Sequence, residues 1–344
     1  MDRNNFIMKT KNVFQPFVWL MLFSGGALCQ RDLISPIGSR SIAMGNTGYV
    51  LSDDESALFF NPAGLGFRNY RWNGGAITFF NEPRIEADAK SYYAITFQND
   101  QIPKLGFAGY VNHLDEKVFI NSTANPISSG EAHFAENTFA AGIGYRFYSN
   151  AWVDNSMGIT LKYYDENRIS IQLHTVAFDA GYLLQIIKQF RCGIVFRNIG
   201  PDLSYHFNNS TTTMKRLIPT TFASGIGYSN FINKGNLRVL DIATEFSFNS
   251  LTDEYQDTSH INSGAEIGLF KTFFFRGGFS RNLTNTVNQI SWGTGLSILN
   301  HFEFDFYSYS YYYKNKFYSH YPGFSLSFKR GLNWQAKDRK WWVE

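Results

Sequence analysis

Seven charged residues stand between apolar neighbours in segments where apolar and polar residues alternate. They are Arg146, Lys162, Glu245, Glu266, Arg276, Glu303 and Asp305. Successive side chains of a strand point to opposite faces, so these charges lie opposite their apolar neighbours. If those neighbours face lipid, the charges face an interior, where they could line a selective channel or pair with one another.

Residue patterns for catalysis are missing from the sequence. The seven His residues are scattered, and there is no H-E-x-x-H, no Cys–His metal spacing and no G-x-S-x-G turn. The sequence therefore predicts no enzyme, no metal site and no cofactor. A formal charge of +3 over 344 residues gives no indication of nucleic-acid binding.

Three G-x-G pairs, at Gly142/Gly144, Gly225/Gly227 and Gly293/Gly295, lie inside strand patterns with no helix after them. A phosphate-binding loop would need that helix, so none is expected. The glycines are predicted to relieve crowding where strands curve.

Four tyrosines, Tyr309, Tyr311, Tyr312 and Tyr313, precede Lys314. Exposed Tyr clusters suit protein interfaces, so they could bind a partner. They could instead belong to the aromatic girdle that sits at the headgroup level of a membrane, which is the favoured interpretation.

The elements that must position these residues are strands. In the segment Phe302-Glu303-Phe304-Asp305-Phe306 the aromatic side chains share one face and the carboxylates the other. We count about fourteen such strands between residues 71 and 329, with no composition break or linker. The prediction is an all-β fold, a transmembrane antiparallel up-and-down β-barrel.

Loop lengths support this prediction. Long connections are expected near 113–136, 199–218 and 249–260, and short ones near 99–103, 186–189, 271 and 299–300. Long and short connections fall at opposite ends, as in barrels with long extracellular loops and tight periplasmic turns. An aromatic content of 18% without a long apolar run also fits strands that are apolar on one face only.

The first thirty residues resemble a secretory signal. Lys9 and Lys11 precede a short apolar stretch, and Ala27-Leu28-Cys29 provides small residues for cleavage. Cys29 raises the alternative of lipidation, although Leu28 does not suit a lipobox. We predict a cleaved signal peptide at 1–29, a plug at 30–70, the barrel at 71–329 and a periplasmic tail at 330–344.

Within the predicted plug, Asp53 or Ser52 could cap a short helix running through Ser56 to Phe60, and Asn61-Pro62 would end it. Asp53, Asp54, Asn61, Pro62 and Gly64 could contact a ligand or gate the interior. Ordinary capping and turn roles explain the same residues, and this structural interpretation is favoured.

The plug resembles the opening of PorV/PorQ-like outer-membrane proteins, relatives of the FadL fatty-acid transporters. The resembling elements are Ala43-Met44-Gly45, Asp53-Asp54, Ser56-Ala57 and Asn61-Pro62-Ala63-Gly64-Leu65, with Phe196-Arg197-Asn198-Ile199-Gly200-Pro201 further on. The resemblance implies a fourteen-stranded barrel with its N-terminal segment in the lumen. In the PorV branch it also implies type IX secretion, in which the barrel receives the C-terminal sorting domain of an exported cargo.

The leading hypothesis from the sequence is a non-enzymatic barrel of the outer membrane whose extracellular loops bind that sorting domain or subunits of a secretion or attachment complex. The alternative is a FadL-like transporter of long-chain fatty acids or other hydrophobic molecules. A third possibility is a structural subunit of a surface or motility complex. Outer-membrane lipid is an expected partner in each.

Overall fold

The computed structural model describes residues 33, 36–67, 74–83, 89–98, 104–121, 129–168, 171–207, 213–234, 237–252, 257–284, 287–299, 301–313 and 316–331. The predicted signal peptide and most of the predicted tail lie outside these residues. None of the helices in the described part of the chain has the length and apolar character needed to cross a membrane.

Sixteen strands of the described residues form one sheet. Their bounds are β1 Gly74–Pro83, β2 Ala89–Gln98, β3 Leu105–Asn121, β4 Ser129–Ser149, β5 Val153–Arg168, β6 Ile171–Ile186, β7 Phe190–Ile199, β8 Leu203–Phe207, β9 Thr213–Arg216, β10 Thr220–Lys234, β11 Leu237–Thr252, β12 Thr258–Leu269, β13 Phe273–Asn282, β14 Asn288–Ile298, β15 Phe302–Tyr313 and β16 Lys316–Gly331. Before β1 come α1 (Ser39–Ala43), α2 (Ala57–Phe60) and a 3₁₀ helix, η1 (Pro62–Gly66).

Fourteen of the described strands pair antiparallel around a ring. Neighbours in sequence pair with each other, except that β7 pairs with β10. The first strand, β1, pairs with the last, β16, and β5 pairs with β6, so the pairings return to where they began. The prediction of an all-β, up-and-down barrel fold with about fourteen strands is confirmed.

The connection 199–218 contains a feature that the sequence analysis missed. Strands β8 and β9 form a hairpin there, and β8 pairs briefly with β6 through Ile171↔Phe207 and Gln172↔His206. Since β8 and β9 are only five and four residues long, their alternation is too short to stand out in the sequence.

Two of the predicted long loops are wrong. Strand β3 continues to Asn121 and β4 begins at Ser129, so most of 113–136 is a long hairpin. Likewise β11 continues to Thr252 and β12 begins at Thr258. In the outer part of β3 the apolar residues Val118, Phe119 and Ile120 follow one another, so the alternation stops while the backbone pairing continues.

The two faces of the wall differ as the alternation predicts. On β15, Phe302 and Phe304 lie outward with 48% and 47% of their surface exposed, whereas Asp305 is only 6% exposed. On β16, Phe324 and Leu326 lie outward and Ser325 lies inward. The outer face is therefore largely apolar and the inner face largely polar.

Residues 36–67 lie inside the ring, and we call them the plug. The η1 helix contacts β3, β4, β5 and β6, while α1 contacts β13, β14, β15 and β16 on the other side. Plug residues such as Phe59 and Phe60 share a buried apolar cluster with inward-facing wall residues such as Tyr92 and Tyr307. The plug thus fills the interior from wall to wall.

The inward-facing glycines make room for the plug backbone. A Cβ on Gly144 would clash with Pro62 and Gly66, and one on Gly278 would clash with Met44 and Gly45. All three G-x-G pairs lie on this inner face. Close approach of the plug therefore accounts for Gly144, where strand curvature had been expected.

Gly277 and Gly278, which are neighbours on β13, test whether contact with the plug explains the inward-facing glycines. Gly278→Val should lower the temperature at which the barrel loses its folded gel mobility, because the new side chain overlaps the plug backbone. Gly277 faces outward, and a Cβ added there would meet no other atom within 4 Å, so Gly277→Val should behave as wild type. Equal mobility loss in both variants would contradict the argument.

Candidate functional site

The plug is held at one side by an ion network. Arg40 binds Glu266 through two hydrogen bonds, each of 3.0 Å, from Nε to Oε2 and from Nη2 to Oε1. Arg276 donates from Nε to the same carboxylate at 2.7 Å and from Nη1 to Asp305 at 2.5 Å. Glu303 lies 3.9 Å from Arg276 Nη2. These inward charges thus pair with one another and with the plug.

Asp53 extends the network across the plug. Its carboxylate lies 3.9 Å from Arg40 Nη1 and 3.6 Å from Arg191 Nη2. Burial by itself would lower the pKa of Arg40, but the carboxylates of Glu266 and Asp53 raise that pKa above its ordinary value. The guanidinium of Arg40 therefore stays charged while it links plug and wall.

Glu245 binds a turn of the plug. Its two carboxylate oxygens accept hydrogen bonds from the backbone N–H groups of Gly48, Tyr49, Val50 and Leu51, at 2.8, 2.9, 3.4 and 3.0 Å. A turn inside a barrel has no water-filled surface to satisfy its donors, so a buried acceptor must do so. The contact fixes this turn against β11.

The other residues predicted for the plug have local partners. Asp54 accepts from Ser56 N at 2.9 Å at the start of α2, a role that had been expected of Asp53 or Ser52. Asn61 donates to Tyr49 O at 3.0 Å and accepts from Ala63 N at 3.1 Å at the start of η1. Pro62 and Gly64 are buried in η1. Each of these contacts holds the plug in shape.

Lys162 and Arg146 lie apart from the Arg276 network. Lys162 is 1% exposed; its Nζ lies 2.7 Å from Asp179 Oδ2 and donates to Asn198 Oδ1 at 2.8 Å. Arg146 lies 3.7 Å from Asp154. Asp179 and Asn198 were not predicted as site residues. Asn198 lies inward directly after the inward Arg197, so it departs from the alternation at the end of β7.

Lys162, Asp179 and Asn198, which we call the Lys162 cluster, lie beside a break in the wall. The pairing of β6 with β7 shifts register between Phe178 and Ala180 and stops at Ile199. Asn198 adopts a positive φ of 57° there, and it donates from Nδ2 to Pro219 O at 3.0 Å. Beyond this point the described pairing on that edge of β6 resumes only with β8, at Gln172 and Ile171. Between β6 and β10 the ring is therefore incomplete.

Tyrosines line the interior on the opposite side. Tyr309 is buried, stacks on Tyr307 and Tyr321 at centroid distances of 6.2 and 5.2 Å, and meets Tyr311 edge-on at 5.3 Å. The structure places Tyr309 and Tyr311 on the inner face and Tyr312 on the outer one. The side chain of Tyr313 lies outside the described residues.

Tyr307, Tyr309, Tyr311 and Tyr321 form what we call the tyrosine wall, and its contacts continue onto the plug. Tyr92, Tyr110, Tyr307 and Tyr309 belong to the cluster that contains Phe59 and Phe60, and Tyr311 and Tyr321 pack against it. Tyr92 and Tyr110 approach to 5.3 Å. These rings are packed against one another and against the plug, with Tyr92 and Tyr307 fully buried. Among the described residues, no three His, Cys, Asp or Glu side chains are grouped to hold a metal ion.

Solved structures share this fold. The Ralstonia pickettii toluene transporter TbuX is 14% identical, with a TM-score of 0.57 over 85% of this chain and 98% of that one. A monoaromatic hydrocarbon channel, CymD, is 11% identical, with a TM-score of 0.58 over 86% and 97%. A Pseudomonas aeruginosa FadL homologue is 9% identical, with a TM-score of 0.52 over 85% and 98%.

At these identities the likeness establishes the fold alone, which this chain shares with the barrels of these structures. No family model matches the chain, and no curated protein matches it. The FadL side of the predicted resemblance is supported; PorV, PorQ and type IX secretion receive no support from these structures. The structures named are transporters and channels, which agrees with a non-enzymatic protein.

Removing the Glu245 carboxylate should loosen the plug. In Glu245→Ala, buried N–H groups lose their acceptor, at a cost of about 1–3 kcal/mol for each one left unsatisfied. We expect a lower unfolding temperature and more frequent open events in planar-bilayer current recordings.

Ser247→Ala is the matched control, since Ser247 faces inward on the same strand and its hydroxyl has no hydrogen-bond partner. It should resemble wild type, and Glu245→Gln should fall between the two. Wild-type stability and current in Glu245→Ala would show that this contact does not hold the plug.

Proposed function

We propose that this protein lies in the outer membrane and lets hydrophobic small molecules pass inward through its plugged interior. The observation that carries the proposal is the continuous aromatic cluster in which inward tyrosines pack against the plug residues Phe59 and Phe60. A molecule with little polarity would be held there by ring contacts, after it has left water. The fold shared with named hydrocarbon channels supports the same conclusion.

The outer surface supports the membrane location. Large apolar side chains are exposed on the outer faces of strands throughout the ring, such as Ile95, Leu161, Phe246 and Phe304. In water such a belt would be an aggregation surface, whereas in a bilayer it matches the acyl chains. Because the tight turns at 150–152, 187–189 and 270–272 lie at one end, we assign that end to the periplasm.

The route that we propose has two parts. The molecule enters from the extracellular end, where Tyr311 and Tyr321 cover the aromatic cluster. It then leaves sideways through the break between β6 and β10, because the plug fills the ring below. Residues Gly200 and Pro201 cross this break, with Thr175 Oγ1 donating to Pro201 O at 3.4 Å. Few backbone hydrogen bonds would have to open there.

The cargo-binding hypothesis has less to support it. It depended on three long extracellular loops, and two of those segments are largely strand. The solved structures named above are of small-molecule transporters and channels, and none of them is a secretion component. The transporter hypothesis is therefore the one that we carry forward.

Tyr309 and Tyr312 provide a test of the aromatic route. Tyr309→Ala removes an inward ring from the centre of the stack, so the initial rate of uptake of a hydrophobic probe, such as radiolabelled toluene or oleate, should fall several-fold in cells that depend on this barrel. Each buried aromatic pair contributes about 0.5–1.5 kcal/mol beyond its buried area.

Tyr312→Ala is the control, because Tyr312 lies on the same strand with its side chain outward. It should leave uptake unchanged at equal surface abundance of the folded barrel. If the two variants transport the probe equally well, the tyrosine wall is not part of the route.

A cross-link tests the lateral exit. Ile171→Cys with Phe207→Cys joins β6 to β8 at a paired position, so the resulting disulfide would hold the hairpin across the break. Uptake should fall in the oxidised protein and recover after reduction.

The control pair is Leu203→Cys with Arg216→Cys, which joins β8 to β9 within the hairpin and leaves β6 free. Its oxidation should not change uptake. A formed β6–β8 disulfide with undiminished uptake would place the exit elsewhere.

A further inference from the structure

The outer wall carries an apolar groove that the proposed transport route does not use. It has a volume of about 650 Å³ and spans β2 to β6. Its floor is formed by two small outward residues, Gly109 and Ala141, which face each other across β3 and β4. Ile95 and Leu161 flank them on β2 and β5. The row of outward residues Ile95, Gly109, Ala141 and Leu161 therefore has large side chains at its ends and small ones at its centre.

An aromatic row borders the groove on its extracellular side. Tyr93, Val111, Phe139, Tyr163 and Val176 are paired in register across the same five strands. The rings of Phe139 and Tyr163 have centroids 6.3 Å apart. Tyrosines at this height are typical of the membrane interface, where the ring is apolar and the hydroxyl is wet.

A polar row follows two residues further along each strand. Ser91, His113, Asn137, Asp165 and His174 are again paired in register, and they lie outward. His113 Nδ1 and Asn137 Oδ1 are 2.8 Å apart. The aromatic and polar rows lie about 7 Å apart along the strands, and each row spans about 19 Å across the five strands. These dimensions suit a lipid whose headgroup is broad and lies above several acyl chains.

We propose that this face binds one glycolipid of the outer leaflet, with a saturated acyl chain in the groove and its sugar headgroup against the polar row. The small residues Gly109 and Ala141, with Ile95 and Leu161 on either side, leave room for a flexible hydrocarbon chain. The polar row suits sugar hydroxyls, because its Ser, Asn, Asp and His side chains offer both donors and acceptors. The binding depends only on insertion in the outer membrane, and not on what the barrel transports.

Filling the groove tests the proposal. A Cβ on Gly109 would lie no closer than 3.4 Å to another residue, so Gly109→Leu combined with Ala141→Leu can enter the groove without displacing the backbone. Purified full-length protein would be placed in phosphatidylethanolamine nanodiscs containing a small share of rough lipopolysaccharide. Native mass spectrometry would then count the lipopolysaccharide retained per barrel.

We expect the double variant to retain several-fold less lipopolysaccharide, since the added side chains fill the groove and remove the van der Waals contacts of the acyl chain. Gly277→Leu, on an equally open outward site of β13, should retain as much as wild type. Asn137→Ala should lower retention of lipopolysaccharide without affecting that of phosphatidylethanolamine. All variants should keep the folded gel mobility and wild-type probe uptake.

Four results would overturn the proposal. Retention could be unchanged in the double variant, or reduced equally in Gly277→Leu. Phosphatidylethanolamine could be retained as strongly as lipopolysaccharide, which would remove the sugar assignment. Wild-type protein could run as a dimer that the double variant dissociates, in which case a second copy of this chain occupies the groove.

Discussion

The structure depends on the pairing of its first strand with its last. Strand β1 pairs with β16 from Gly74↔Gly331 to Asn81↔Phe324, and this pairing, together with that of β5 and β6, gives the sheet an inside and an outside. Each strand of the ring must then sort its side chains between an outer and an inner face, and neighbouring strands cover its edges except at the break between β6 and β10. The period of two visible in the sequence is the result of that requirement.

An interior of this kind has to be filled, and the filling segment is mostly irregular. Its backbone groups therefore need acceptors and donors from the wall. Glu245 accepts from the turn at Gly48–Leu51, Ser156 Oγ donates to Ala63 O at 2.7 Å, and Ser291 Oγ donates to Ala43 O at 3.1 Å. The wall charges and hydroxyls are thus matched to the plug, and this leaves little reason to interpret them as a channel lining.

Features that depend on the local alternation of residues could be predicted from the sequence. Contacts between separate segments of the chain could not. The number of ring strands and the inward position of Glu266 and Asp305 follow from the period of two. The partner Arg40 does not, because its contact joins segments 226 residues apart in the chain. Asn198 lies where the alternation of β7 ends. Asp179 has an inward position on β6 beside Lys162 on β5, so the period of two could have found it. The extension of β3 and β4 into a predicted loop was missed for another reason, since the three successive apolar residues Val118, Phe119 and Ile120 interrupt the alternation there.

Strand β15 links these findings to transport. Its inward side chains change along the strand, from Glu303 and Asp305 to Tyr307, Tyr309 and Tyr311. Arg276 contacts both carboxylates, at 3.9 and 2.5 Å, so the charged half serves the attachment of the plug. The tyrosine half meets the apolar side of the plug instead. An apolar solute that displaced part of this packing would meet ring faces, whereas a charged one would have to leave water for apolar rings.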